Sequence, residues 1–266
     1  MKILRNINDL KKAVNKIDNL GFVPTMGGLH EGHISIINQS KKKSNKTLVS
    51  IYVNPKQFNN STDYNSYPKN TNNDLIKLKK IGVDFVFLPK SKDVYRKKRV
   101  KKITISSKYK VLCGKFRKGH FEGVLDVVDR LLRLVKPKFL FLGEKDFQQY
   151  FLIKKYLKKK HSIKIELCKT VRDKNFVPLS TRNKLLSKKE YNIAVFITNE
   201  LFLLKKNKPT KYKINYLKKK IKLNFKIKVD YLEFRNSKNL MTNGNINIKK
   251  LFIAYNLGNV RLIDNI

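Results

Sequence analysis

The sequence predicts an α/β fold: a domain with a mainly parallel sheet over residues 1–171, then a smaller α+β domain over 172–266. Three observations carry this. Short apolar runs alternate with helical stretches through the first two-thirds of the chain, the pattern of strands joined by helical crossovers. A glycine-bearing turn connects the apolar Phe22-Val23 to a helix start near His30. From about Val171 the character shifts to lysine-rich helices followed by strands.

In order, the strands fall at 22–24, 48–53, 84–88, 138–142 and 163–167, with helices at 34–43, 72–80, 123–135 and 146–159. Leu125, Val128, Leu131, Leu132 and Val135 recur at helical spacing, so the helix carrying them lays an apolar face on the sheet. After a junction near 172–178 come helices at 187–205 and 210–223, then strands at 229–234, 251–255 and 261–265. In open sheets of this kind ligands sit at the carboxyl ends of strands. The His30/His33 turn, Asn54-Pro55 and Gly143-Glu144 each follow a strand, so all three are expected to line one crevice.

Composition excludes several classes. The 41% hydrophobic content suits an ordinary globular chain. No apolar run approaches the roughly 18 residues that span a bilayer, and the first residues lack a secretory signal. Cys113 and Cys168 make no disulfide framework, so a cytoplasmic setting is expected. The net charge of +42 raises nucleic-acid binding as a hypothesis. Yet the lysines are spread, as in Lys41-Lys42-Lys43, Lys158-Lys159-Lys160 and Lys218-Lys219-Lys220, rather than gathered in one stripe. The many Asn and Ile residues and absence of Trp fit A/T-biased coding, so most of the charge reads as solvated surface and no specific nucleic-acid partner is expected.

The tightest motif is Pro24-Thr25-Met26-Gly27-Gly28-Leu29-His30-Glu31-Gly32-His33. Two histidines three residues apart share one helix face. The N–H groups of a helix start favour anions, and imidazoles beside them donate further hydrogen bonds to phosphate. Gly32 leaves room for a flat group against the backbone. The stretch points to a nucleotide triphosphate site, without the G-K-[ST] ending of a P-loop or the G-x-G-x-x-G of a dinucleotide fold. A polar surface pair or a partial metal site are the bland alternatives, but the histidine spacing suits no metalloprotease helix and no protein metal site is expected.

Three further stretches add to it. Asn54-Pro55-Lys56-Gln57 turns out of a strand, and its amides can bind neutral or carboxylate-bearing groups; taken alone, simple turn chemistry explains the stretch better. Gly143-Glu144-Lys145-Asp146 leads into a helix carrying Gln149: Asp146 resembles an N-cap and Lys145 offers a point charge to phosphate. Leu179-Ser180-Thr181-Arg182 places two hydroxyls before an arginine, suited to a triphosphate or merely to a helix cap. The glycine-rich, basic stretch 112–124 is either a substrate-side loop or a connector.

P-T-M-G-x-L-H-x-G-H, V-x-I-x-V-N-P-x-Q-F, G-x-x-R-x-G-H-F-x-G-V, G-E-K-D-x-Q-Q and a terminal L-G-x-x-R-L-I-D-N occur in order along nearly the whole chain. In this the sequence resembles the pantothenate synthetase (pantoate–β-alanine ligase) family. The resemblance implies a Rossmann-like parallel sheet domain of the HxGH nucleotidylyltransferase type with a smaller C-terminal α+β lid domain. It also implies ATP-dependent joining of pantoate to β-alanine through a pantoyl adenylate, releasing AMP and diphosphate, with Mg²⁺ bridging the ATP phosphates and a homodimeric assembly.

By the same resemblance, ATP would be held by Met26, Gly27, Gly28, Leu29, His30, Glu31, Gly32, His33, Gly143, Glu144, Lys145, Asp146, Val171, Leu179, Ser180, Thr181 and Arg182. His33, His30, Lys145 and Arg182 would assist the reaction, His33 as the proton donor. Gln57 and Gln149 would hold pantoate, and Gln57 also β-alanine. Where the family has Asp-Gly-Leu-Ala this chain has Asn175-Phe176-Val177-Pro178, and loss of that glycine is expected to stiffen or reshape the hinge. The competing readings are another HxGH nucleotidylyltransferase acting on a phosphate ester, and a basic nucleic-acid-binding protein.

Overall fold

The structure, a computed structural model, describes residues 1–59, 61–96, 103–207, 210–242 and 249–266. The chain divides into two compact units, Met1–Ile105 with Arg117–Thr170, and Ser106–Phe116 with Val171–Ile266. The excursion of Ser106–Phe116 into the second unit had no marker in the sequence pattern.

The strands of the first unit are β1 (Lys2–Leu4), β2 (Leu20–Thr25), β3 (Lys46–Ile51), β4 (Phe85–Phe87), β5 (Phe139–Gly143) and β6 (Lys164–Cys168). They form one six-stranded sheet in the order β1-β4-β3-β2-β5-β6, every pair parallel. This is the α/β architecture the sequence predicts. The inner strands read as continuous apolar runs because helices cover both of their faces. Edge strand β1 was not anticipated, since three residues are too few to show a period.

Helices α1 (Ile7–Val14), α2 (Glu31–Lys43), α3 (Ser61–Asn65), α4 (Thr71–Lys80) and α5 (Ser91–Val94) follow in order. The short α6 (Cys113–Phe116) lies in the second unit, and α7 (His120–Val135) and α8 (Phe147–His161) return to the first. Val23, Ile37, Val49, Leu78, Val86 and Phe141 pack in one buried cluster between sheet and helices. Helix α7 buries Leu125, Val128, Leu131, Leu132 and Val135, the positions its spacing picks out.

The second unit carries α9 (Lys188–Lys206), α10 (Lys211–Phe225) and an antiparallel sheet of β7 (Val229–Asn236), β8 (Lys249–Leu257) and β9 (Val260–Asn265). Ile197, Leu201, Leu217, Ile221, Leu232 and Ile253 fill its core. Ser187 and Glu190 close a reciprocal capping box at the start of α9. The Arg172 guanidinium grips both oxygens of Asp264 at 2.8 Å, tying the 172–178 turn to β9.

Within that turn Asp173 Oδ1 accepts the N–H groups of Asn175 and Val177 at 2.9 and 3.0 Å. Phe176 is held at φ 64°. The left-handed conformation that a glycine would supply is therefore kept by an aromatic residue, against a steric cost of about 1 kcal/mol. Its ring lies 5.8 Å from that of Phe202, the contact available to offset the cost. Phe176→Gly should raise thermal stability by up to about 1 kcal/mol; a lowered melting temperature would show that the ring contact outweighs the strain.

Candidate functional site

Strands β3, β2 and β5 are neighbours at the centre of the sheet and run parallel, so the loops leaving their carboxyl ends emerge on one edge. Those loops carry Met26 to His30, Asn54 to Gln57, and Gly143 to Asp146.

The loop after β2 takes left-handed backbone at Gly27 (φ 78°) and Gly28 (φ 64°). That turns the N–H groups of Gly28 and Leu29 onto the two carboxylate oxygens of Asp74 in α4, each at 2.8 Å. Asp74 is 1% exposed. One helical turn on, Lys77 Nζ donates to the Leu29 carbonyl at 2.7 Å. Nothing in the sequence singled out either residue; an isolated Asp and Lys inside an amphipathic helix look like surface.

Helix α2 begins with an unusual cap. His30 is the N-cap, its Nδ1 accepting the Gly32 N–H at 3.1 Å, while His33 Nδ1 accepts the His30 N–H at 3.4 Å. Two orphan donors of the helix start are thereby used by the imidazoles. The N–H groups of Gly32 and His30 are therefore already engaged at this helix start. Accepting at Nδ1 requires the neutral ring to carry its proton on Nε2, which makes that nitrogen a donor. Burial, then the charges of Lys145 and Lys77, lower the His33 pKa to about 4, so the ring is neutral at physiological pH.

The loop after β3 is fixed just as tightly. Asn54, 1% exposed, caps the 3-10 turn Pro55–Gln57 by accepting the Lys56 N–H at 3.3 Å. Its Nδ2 donates to Gln57 Oε1 at 3.3 Å, and Gln57 Nε2 donates to Met26 Sδ at 2.7 Å. Gln57 therefore sits against the first loop. Its carbonyl accepts from His120 Nδ1 at 2.7 Å and Arg117 Nη2 at 3.4 Å. A Cβ on Gly123 would lie 2.3 Å from the Lys56 carbonyl oxygen, so only glycine lets α7 approach this turn. The 117–123 part of the glycine-rich stretch thus supports Gln57; its R-x-x-H-x-x-G spacing was the signal.

After β5, Gly143 leads into a 3-10 turn over Glu144–Asp146. Asp146 stands at the N-cap position of α8 but its side chain makes no capping bond. Its carboxylate lies 3.8 Å from Lys145 Nζ instead. Gln148 is buried at 6%, while Gln149 beside it is half-buried.

Val171, Leu179, Ser180, Thr181 and Arg182 belong to the second unit. Leu179 N–H bonds the Val171 carbonyl at 3.0 Å. Ser180 Oγ accepts the Arg182 N–H at 3.3 Å and caps the 3-10 turn Thr181–Leu185, so a capping role is real for that hydroxyl.

A family model described as pantoate-beta-alanine ligase matches residues 2–266. The chain belongs to that family. A pantothenate synthetase of Ruthia magnifica subsp. Calyptogena magnifica is 39% identical over 274 residues, covering 100% of this chain and 98% of the relative. The pantoate-beta-alanine ligase of Francisella tularensis, solved with beta-gamma ATP and beta-alanine, has 37% identity and a TM-score of 0.85, covering 100% of this chain and 97% of its own. The pantothenate synthetase of Thermus thermophilus gives a TM-score of 0.92 at 27% identity, covering 100% and 99%. The chain is accordingly a ligase of the pantothenate-forming kind.

Asp74 is the residue on which the ligase's first loop rests. Asp74→Ala should remove the hydrogen bonds to the buried Gly28 and Leu29 N–H groups and destabilise by about 2–4 kcal/mol, measured by denaturant melts. An unchanged midpoint would refute this account of the loop.

Proposed function

We propose that this ligase activates the carboxylate of pantoate by attack on the α-phosphorus of ATP, expelling diphosphate, and then passes the acyl group to the amine of β-alanine, expelling AMP. What supports the reading is the juxtaposition of donor-only and amide groups on one sheet edge. The Nε2–H groups of His30 and His33 and the Lys145 ammonium suit phosphate oxygens. The Gln57 and Gln149 amides suit pantoate, with Gln57 also within the β-alanine subsite.

Each residue has a limited task. A neutral His33 contributes a hydrogen bond to charge developing on the phosphates rather than a formal positive charge. Met26 to His33 and Gly143 to Asp146 shape the nucleotide site, and Lys145 supplies the positive charge. The family resemblance also assigns Val171, Leu179, Ser180, Thr181 and Arg182 to ATP, with the Arg182 guanidinium suited to neutralising the departing diphosphate, and assigns the second unit the part of a lid domain. Mg²⁺ would ride on the ATP phosphates, held chiefly by substrate oxygens and water. We further propose a homodimer working in the cytoplasm.

Incubation with ATP, Mg²⁺, pantoate and β-alanine should yield AMP and pantothenate in equal amounts. A product that retains adenylate would instead mark a nucleotidyltransferase. His33→Ala should lower kcat by at least about 100-fold while the protein stays folded; normal turnover would remove that imidazole from the mechanism.

The His33 pKa has a second consequence. It is depressed below the unfolded value of 6.5, so the unfolded chain binds this proton first as the pH falls. The His33 contribution to stability is therefore complete above about pH 6.5 and is lost progressively towards pH 4. A histidine NMR titration should place its midpoint well under 6.5, and an ordinary midpoint would contradict the neutral-donor role.

A further inference from the structure

Tyr95 stands just past α5, far in sequence from every motif discussed, yet its hydroxyl lies 2.9 Å from Asn54 Oδ1. The chemistry of that contact is directional. Asn54 Oδ1 also receives the Lys56 backbone N–H, so this end of the amide must be oxygen and the Tyr95 hydroxyl must donate. The opposite end is then Nδ2, and it faces two acceptors, Gln57 Oε1 at 3.3 Å and the Gly123 carbonyl at 3.4 Å. A flipped Gln57 would set NH₂ against NH₂. Gln57 is thereby obliged to direct its own NH₂ to the other side, where it meets Met26 Sδ.

The ring of Tyr95 is held as firmly as its hydroxyl. Lys56 Nζ lies over it at 4.0 Å and the Arg130 guanidinium at 4.7 Å from the centroid. Arg130 is itself fixed by Asp126, Nε to Oδ1 at 2.9 Å. Burial first, and then the Asp126 carboxylate, push the Tyr95 hydroxyl well above its ordinary range, so it keeps its proton at any working pH.

We propose that Tyr95 is a positioning residue for acid recognition: through Asn54 it fixes which end of the Gln57 amide is offered to substrate. The end offered is the NH₂ donor, which accepts no hydrogen bond and so selects an oxygen acceptor such as a carboxylate or hydroxyl of a small hydroxy acid. This rests on the reading of Gln57 as the pantoate ligand, and adds a specificity element outside the sequence motifs.

The test is Tyr95→Phe in the full chain, which removes one oxygen atom and keeps the ring between its cations. KM for pantoate should rise about 10-fold, with KM for ATP within about twofold and an unchanged melting temperature. Tyr52→Phe serves as the neighbouring control: that hydroxyl bonds Ser91 Oγ at 3.1 Å rather than Asn54, so its pantoate KM should stay at the wild-type value. In ¹⁵N spectra the Gln57 side-chain amide signals should shift in Tyr95→Phe and not in Tyr52→Phe, a readout independent of catalysis. Pantoate KM within about twofold of wild type, or unmoved Gln57 signals, would overturn the proposal. So would equal losses for ATP and pantoate together with a lowered melting temperature, the mark of a general structural role. Wild-type protein that makes no pantothenate, with the Gln57 signals still shifting in Tyr95→Phe, would sink the substrate assignment while leaving the amide relay standing.

Discussion

The buried carboxylate of Asp74 is the contact on which the site depends. Two successive glycines in left-handed conformation would be floppy in isolation, since glycine loses the most backbone entropy on ordering. Asp74 fixes them with two charge-assisted hydrogen bonds, and Lys77 from the same helix takes the adjoining carbonyl. The loop is therefore clamped on donors and acceptor by one turn of α4. Only with the loop clamped does His30 arrive at the N-cap of α2, and only then can the imidazoles satisfy the helix start. An acidic group beneath a nucleotide loop would repel phosphate if left bare. Here the carboxylate has both oxygens engaged by backbone donors, with Lys77 beside it.

Keeping His33 neutral follows from the same arrangement. Lys145 and Lys77 already supply positive potential, and a third cation in half-buried surroundings would raise the self-repulsion of the empty site. A neutral Nε2–H has no such cost and is already oriented. Preorganised donors of this kind stabilise developing charge without reorganising at the moment of reaction. The proposed acid subsite follows a different logic, in which amides constrained by their neighbours replace charge with orientation. Tyr95, Asn54 and Gln57 each have one allowed donor–acceptor assignment, and the packing of Gly123 on the Lys56 carbonyl leaves the turn little room to relax.

Much of the fold could be read directly from the chain. Apolar runs with strand length and an α7 face at helical spacing are local patterns, and they mark the central strands and main helices to within a few residues. What could not be read were contacts made across the sequence. Asp74 and Tyr95 sit 45 and 41 positions from the groups they hold, and neither carries a local signature. The imidazole cap was also hidden, because histidine is an uncommon N-cap and the N–H groups of a helix start look available until the side chains are placed. Phe176 shows the limit from the opposite direction: nothing in its side chain announces a left-handed residue, yet it sits at φ 64° in a turn that the Asp173 hydrogen bonds close.

The charge of +42 raises a separate question of selectivity. With 61 Lys and Arg against 19 Asp and Glu, most cations have no acidic partner available, and exposed pairs such as Lys46 with Asp84 stabilise little. A diffuse positive surface attracts every anion, since screening over about 8 Å at physiological salt leaves only sign, not shape, to be felt at a distance. ATP and pantoate are net anions, so the surface field can hasten their arrival without distinguishing them from other anionic metabolites, whereas zwitterionic β-alanine has no net charge for it to act on. Under the proposed assignment, discrimination resides instead in groups held rigidly by their neighbours, the neutral His33 imidazole and the locked amides. That separation explains how lysine can drift so freely over the surface of this ligase: the groups proposed for selection are few, at least partly buried, and mostly uncharged.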